Sequence, residues 1–186
     1  EAAQIVGQIR IVEARRLVTK LHSLLGEHDL ATEQARRVLK QRPDDWETRI
    51  VMAQSMVASN RIDEARQELD TIPLDQRGAE LNFAIGRIDL LQGRSEAARE
   101  KLLAALESQP QHPEILESLL TTERALGKVD ESLARIEKVA GEKPNDSNLQ
   151  RLLGIALMMS GQGPAGEEKV RRAIELDPNN VGAYQA

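Results

Sequence analysis

Cysteine is missing from all 186 residues, which excludes disulfides, thiolate metal sites and cysteine nucleophiles but leaves the compartment open. Aromatic residues are nearly missing as well. Trp46, Phe83 and Tyr184 make up 2% of the chain, too few to line an aromatic pocket or to stack nucleic-acid bases. Positive charge is not in surplus either: 25 Lys and Arg face 30 Asp and Glu, and a net charge of −5 gives no general field for nucleic acid. The longest uncharged run, Leu152–Gly166, falls short of the roughly 20 residues that span a bilayer, and it contains a turn, so direct membrane insertion is not expected. The opening EAAQIVGQIR lacks the basic-then-apolar order of a secretory signal. A first residue Glu1 in place of Met suggests a processed chain or an excised fragment; a soluble fragment, cytoplasmic or periplasmic, is expected, with the compartment left open.

Catalytic and cofactor signatures are equally scarce. There is no S-x-x-K, no G-x-S-x-G and no G-K-[ST] phosphate loop. His22, His28 and His112 never stand three or four residues apart, the spacing that sets two metal ligands on one helix face. The segment GQGPAG, Gly161–Gly166, fits the dinucleotide fingerprint, but that chemistry needs a strand before the loop, and a helical pattern precedes it here. The paired arginines Arg15–Arg16, Arg36–Arg37 and Arg171–Arg172 form no stripe with aromatics between them. They read as partners of Glu13, Glu33, Glu168 and Glu175 along their own helices. The expectation is no enzyme, no cofactor, no metal and no nucleic acid.

What is present is repetition. Pro43, Pro110, Pro144 and Pro178 stand 67, 34 and 34 residues apart. Gly26, Asn60, Gly93, Gly127 and Gly161 form a second column with steps of 34, 33, 34 and 34, and five residues after each comes Ala31, Ala65, Ala98, Ser132 or Gly166. Apolar residues recur at helical spacing before each Gly, as in Leu149, Leu153 and Ala156, and again after it, as in Ser132, Ile136 and Val139. Gly and Asn tolerate the left-handed conformation just past a helix end, so this column stops a first helix. Pro164 suits the first turn of a second helix, and the recurring proline ends that second helix.

Each unit is thus a helix pair. The units are Val12–Asp45, Trp46–Gly78, Ala79–His112, Pro113–Asp146 and Ser147–Asn180, preceded by a helical extension at 1–11 and followed at 181–186 by the start of a further helix. The second unit is one residue short, which predicts a distorted junction at Thr71–Gly78. For close packing, Thr19, Ala53, Gly86, Leu120 and Gly154 of the first helices should face the small residues of the second. Leu120 is the bulky exception and predicts a wider helix separation in the fourth unit.

With Leu153–Gly154, Gly161, Ala173 and Leu176–Pro178, the segment LLGIALMMSGQGPAGEEKVRRAIELDPNN resembles the tetratricopeptide repeat, a 34-residue helix–turn–helix. The resemblance runs from Val12 to Asn180. It implies an all-α, right-handed superhelical solenoid whose first helices line a concave peptide-binding groove. Two columns depart from the family. Its late aromatic in the first helix is replaced by His22, Met56, Asp89, Glu123 and Leu157, and its aromatic in the second by Ala35, Leu69, Leu102, Ile136 and Val170. The carboxylate clamp of chaperone-binding members is absent, since Arg16, Lys20, Val51, Glu80 and Ala84 stand at its places.

The resemblance places Arg16, Lys20, Ile50, Gln54, Phe83, Arg87, Thr121, Arg124, Arg151, Ile155 and Met158 in the groove, a mixture that suits a protein segment carrying carboxylates and apolar anchors. Two uses of its arginines stand open, ligand binding or pairing with the glutamates Glu13, Glu47, Glu80 and Glu114 that open the first four units. Three functional readings follow. The first is a non-enzymatic scaffold for a peptide or partner segment. The others are a module that self-associates through its uncapped ends, and a helical spacer in a larger protein of the bacterial secretion or exopolysaccharide-export type.

Overall fold

The computed structural model describes residues 2–73, 76 and 78–186, with side chains from Arg10 onward. Its described residues form helices and turns with no strand, the all-α architecture expected. Two compact units divide the chain, Glu1–Ile88 and Asp89–Ala186. The first holds α1 (Ala2–Leu24), α2 (His28–Leu39), α3 (Trp46–Ala58), α4 (Ile62–Asp70) and most of α5 (Ala79–Leu91). The second holds the end of α5, then α6 (Ser95–Ser108), α7 (Pro113–Ala125), α8 (Val129–Glu142), α9 (Ser147–Met159), α10 (Gly163–Leu176) and α11 (Val181–Tyr184). From Ala2 on, the segment expected as an extension at 1–11 continues without a break into the first unit's helix as α1. Of the junction Thr71–Gly78, residues 74, 75 and 77 lie outside the described residues. The helix before it, α4, is the shortest of the second helices at nine residues.

The five turn residues do what their chemistry allows. Gly26, Asn60, Gly93, Gly127 and Gly161 have φ of 76°, 60°, 73°, 70° and 85°. Each donates its N–H three residues back, and the next residue donates five back, as Lys128 does to the Glu123 carbonyl. That pair of bonds satisfies carbonyls the helix end would orphan, and the left-handed residue makes it possible. In GQGPAG, α9 precedes the loop and Pro164 sits in the first turn of α10, so the segment is a helix–helix turn.

The second punctuation has a part the proline alone does not explain. After Pro43, Pro144 and Pro178 come Asp45, Asp146 and Asn180, whose Oδ1 accepts from the Thr48, Leu149 and Ala183 N–H at 3.1, 3.1 and 3.2 Å. One proline stops a helix and the acid or amide two residues on caps the next.

In the first unit the core gathers Ala35 of α2, Met52, Ala53 and Met56 of α3, Ala65 and Leu69 of α4, and Leu81, Ala84, Ile85 and Ile88 of α5. Burying one such large side chain contributes about 1.5–3 kcal/mol. In the second unit α9 and α10 touch through glycine. A Cβ on Gly154 would stand 2.6 Å from Val170 Cγ2 and 2.8 Å from the Gly166 carbonyl oxygen. In α7 the corresponding position holds the buried Leu120.

Candidate functional site

In the first unit, α1 and α3 bring the expected groove residues beside acids. Arg16 Nε lies 3.0 Å from Asp45 Oδ2, its Nη2 2.8 Å from Glu47 and its Nη1 3.1 Å from Glu13. Lys20, exposed, stands 3.7 Å from Glu47. Glu13 also accepts from Arg42 at 2.6 Å, and that hydrogen bond, with the Arg16 charge, outweighs desolvation and holds its carboxyl below the ordinary range. Arg16 is therefore committed to the protein's own carboxylates.

Arg87 of α5 differs. It is exposed, has no ion-pair partner among the described residues, and its guanidinium stands 5.6 Å from the Phe83 ring centroid. A planar cation over a ring face is attracted by the ring quadrupole, which limits where Arg87 can point. Beside it Gln54 and Val57 border a shallow depression floored by Ala53, Ala84, Leu69 and Ile88. Ile50 and Phe83 are each only 8% exposed, so they shape this face from beneath and offer little surface.

The second unit shows the same division. Arg151 of α9 grips Glu117 of α7 in a two-pronged pair, at 3.0 and 2.8 Å. These residues are 34 apart, one column in successive repeats. Thr121 is exposed but its hydroxyl donates to the Glu117 carbonyl at 3.0 Å. Arg124 is exposed with no side-chain partner among the described residues, and Ile155 and Met158 are half-buried. Sequence pattern alone does not single out Glu117 and Asp45 as the partners of these arginines.

Glu123 and Asp89 also stand differently from a simple apolar column. Both are buried and both have arginine partners. Glu123, 0% exposed, accepts from Arg135 twice at 2.7 Å, from Arg99 at 2.9 Å and from the Ser132 hydroxyl. Burial alone would raise its pKa, but the donors of Arg135, Ser132 and Arg99 win and the net shift is downward. This cluster fastens α7 to α6 and α8. Asp89 likewise holds Arg94 across the turn at 2.9 and 2.6 Å.

Among the described residues one face is left without a neighbour. Ile11, Val18, Leu21 and Leu25 follow one another along α1 and its end, and all are exposed, Leu21 by 53%. In the register counted from the turn residue, Leu21 corresponds to Ser55, Ile88, Thr122 and Ala156, and Val18 to Met52, Ile85, Leu119 and Leu153, every one buried. The side of the first helix that later repeats bury is open on α1. Among the described residues no cluster of His, Asp and Glu is placed to hold a metal ion, and no helix is long and apolar enough to cross a membrane.

Comparison with known proteins agrees with the repeat. Residues 24–82 match one tetratricopeptide-repeat profile, and 83–131 and 118–181 a second. The chain belongs to the tetratricopeptide-repeat family, whose helix-pair solenoids are protein-interaction scaffolds. A TPR repeat-containing protein of Dictyostelium discoideum is 42% identical over 45 residues, a segment covering 24% of this chain and 17% of that protein. Among solved structures, MamA matches over 91% of this chain and 93% of its own at 19% identity, with a TM-score of 0.64. YrrB, described as a TPR protein with an unusual peptide-binding site, matches over 92% and 89% at 15% identity, with a TM-score of 0.61. At such identity these structures establish the fold.

Proposed function

We propose that the chain is a non-catalytic scaffold that holds an extended protein segment on the first-helix faces of its repeats. The observation that carries this reading is Arg87, an exposed cation steadied by Phe83 beside an apolar depression, with no carboxylate of its own among the described residues. Such a pairing takes an aliphatic side chain and a neighbouring carboxylate on the same ligand segment. Arg124 supplies a second exposed cation in the other unit. Arg16 and Arg151 contribute shape instead, their charge being spent on Glu47, Asp45, Glu13 and Glu117. Selection of random displayed peptides on the native chain should enrich aliphatic residues interleaved with Asp or Glu. Selection on Arg87→Glu should lose the acidic preference. Identical peptides from both would remove Arg87 from the binding face.

The open side of α1 favours a second reading, association with another copy of this chain. Each later first helix buries that side against a helix pair of this same sequence, so the chain itself carries surfaces of the complementary kind. Sedimentation of the native chain should show mass rising with concentration, and Leu21→Glu should hold it at one copy. A native chain at one copy throughout the accessible concentration range would end this reading.

A further inference from the structure

The second unit contains a cleft that the groove reading does not use. It lies between α8 and α10 over α9 and has a volume of ≈ 810 Å³. Sequence accounts for the space. In the register set by the turn residues, α2, α6 and α10 carry Leu39–Lys40, Leu106–Glu107 and Ile174–Glu175, whereas α8 carries Ala140–Gly141. A Cβ on Gly141 would meet nothing within 4 Å. At the first of these positions Leu106 is buried and Leu39 and Ile174 are half-buried, where α8 has only the Ala140 methyl followed by Gly141.

The floor of the notch is polar at one point. Gln150 of α9 is only 5% exposed, and its side-chain amide has no hydrogen-bond partner among the described residues. Neither is it among the polar atoms sealed from solvent, so what exposure the amide keeps opens through the cleft it lines. With no partner inside the protein, the amide can be satisfied only by water or by a ligand in the cleft it lines. Leu116, one repeat earlier, fills the same register position with an apolar side chain, so stacking does not require an amide there. The lining balances in charge: Glu137 and Glu168 are matched by Lys169 and Arg171 in number, and Arg172 is taken by Glu175 at 3.1 Å.

We infer that this cleft is a second binding site, which takes an extended polypeptide segment of no net charge. The segment's backbone N–H and C=O meet the two ends of the Gln150 amide, which both donates and accepts. A compact aliphatic side chain fills the notch over Ala140 and Gly141 against Leu153. Balanced walls make this binding insensitive to salt, in contrast to a carboxylate drawn to Arg87.

The test uses the nitrogen-15-labelled chain titrated with the capped tripeptide acetyl-Ala-Leu-Ala-amide. The Gln150 side-chain NH₂ and the Gly141 N–H should shift saturably, alike at low and high salt, and Arg87→Glu should leave those shifts in place. Ala140→Leu restores the residue that Leu39 and Leu106 supply, so it should fold with its spectrum dispersed and lose the shifts. Gln150→Leu installs the residue type that Leu116 supplies one repeat earlier, and should weaken binding at least about tenfold as read at Gly141, the low end for losing two neutral hydrogen bonds. No saturable shift in the native chain up to the peptide's solubility, or shifts unchanged in folded Ala140→Leu, would overturn the assignment.

Discussion

Arg135 closes a two-pronged pair on Glu123 across the turn between α7 and α8, Nη1 to Oε2 and Nη2 to Oε1, each at 2.7 Å. The Ser132 hydroxyl and Arg99 complete the shell around a carboxylate that reaches no solvent. A buried acid so enclosed is tolerated only because its oxygens find donors on every side.

Glu123→Gln should therefore destabilise the chain at pH 7 by about 3 kcal/mol, the low end for breaking a buried pair. The folded pKa of Glu123 lies below its ordinary value of 4.5. Its ionised form thus stabilises the fold fully above that value, and the contribution disappears as pH falls through the folded pKa. Urea midpoints of the two proteins should differ at pH 7 and converge on acidification. A gap that stays constant as pH falls would show that the carboxylate charge is not what Glu123 contributes.

Gly154→Ala should cost about 1–3 kcal/mol, because its Cβ would collide with Val170 and the Gly166 backbone and force α9 from α10. Gly141→Ala, in the same unit and equally helical, meets open space and should stabilise by about 0.5–1 kcal/mol. Thermal melts of the two variants should move in opposite directions.

Asp146→Ala removes the side-chain cap of α9 and should lower stability by about 1 kcal/mol. Asp45→Ala removes the cap of α3 and also takes one of the three carboxylates that hold Arg16, the one 3.0 Å from its Nε, so its loss should be the larger of the two. Chemical denaturation of both proteins checks the order.

The helix punctuation is legible in the sequence because few residues can do the job. A positive φ admits Gly and Asn and little else, so the column Gly26, Asn60, Gly93, Gly127, Gly161 announces its own conformation. The close crossing of Gly154 and Gly166 is legible for a similar reason, since nothing larger fits. Glu123 is harder. Its donors come from 9, 12 and 24 residues away, and no helical period links them, so the sequence shows a break in the apolar seam and not its repair. The Arg151–Glu117 pair is hidden because both residues share one face by register, and sharing a face says nothing of who pairs with whom. The family resemblance also puts Ile50 and Phe83 on the groove side, but burial depends on how deeply the neighbouring helix sits, which a resemblance of pattern does not encode. The cleft over Gln150 is invisible for the opposite reason: Ala140 and Gly141 look like ordinary small helix residues until the missing volume is seen in three dimensions.

Arg87 is where the interaction reading is most exposed to refutation. Calorimetric titration of a displayed-peptide winner, aliphatic and acidic in composition, should give a dissociation constant about tenfold weaker for Arg87→Glu than for the native chain, with helicity unchanged by circular dichroism. Equal affinity for both proteins, with both fully helical, would contradict the account.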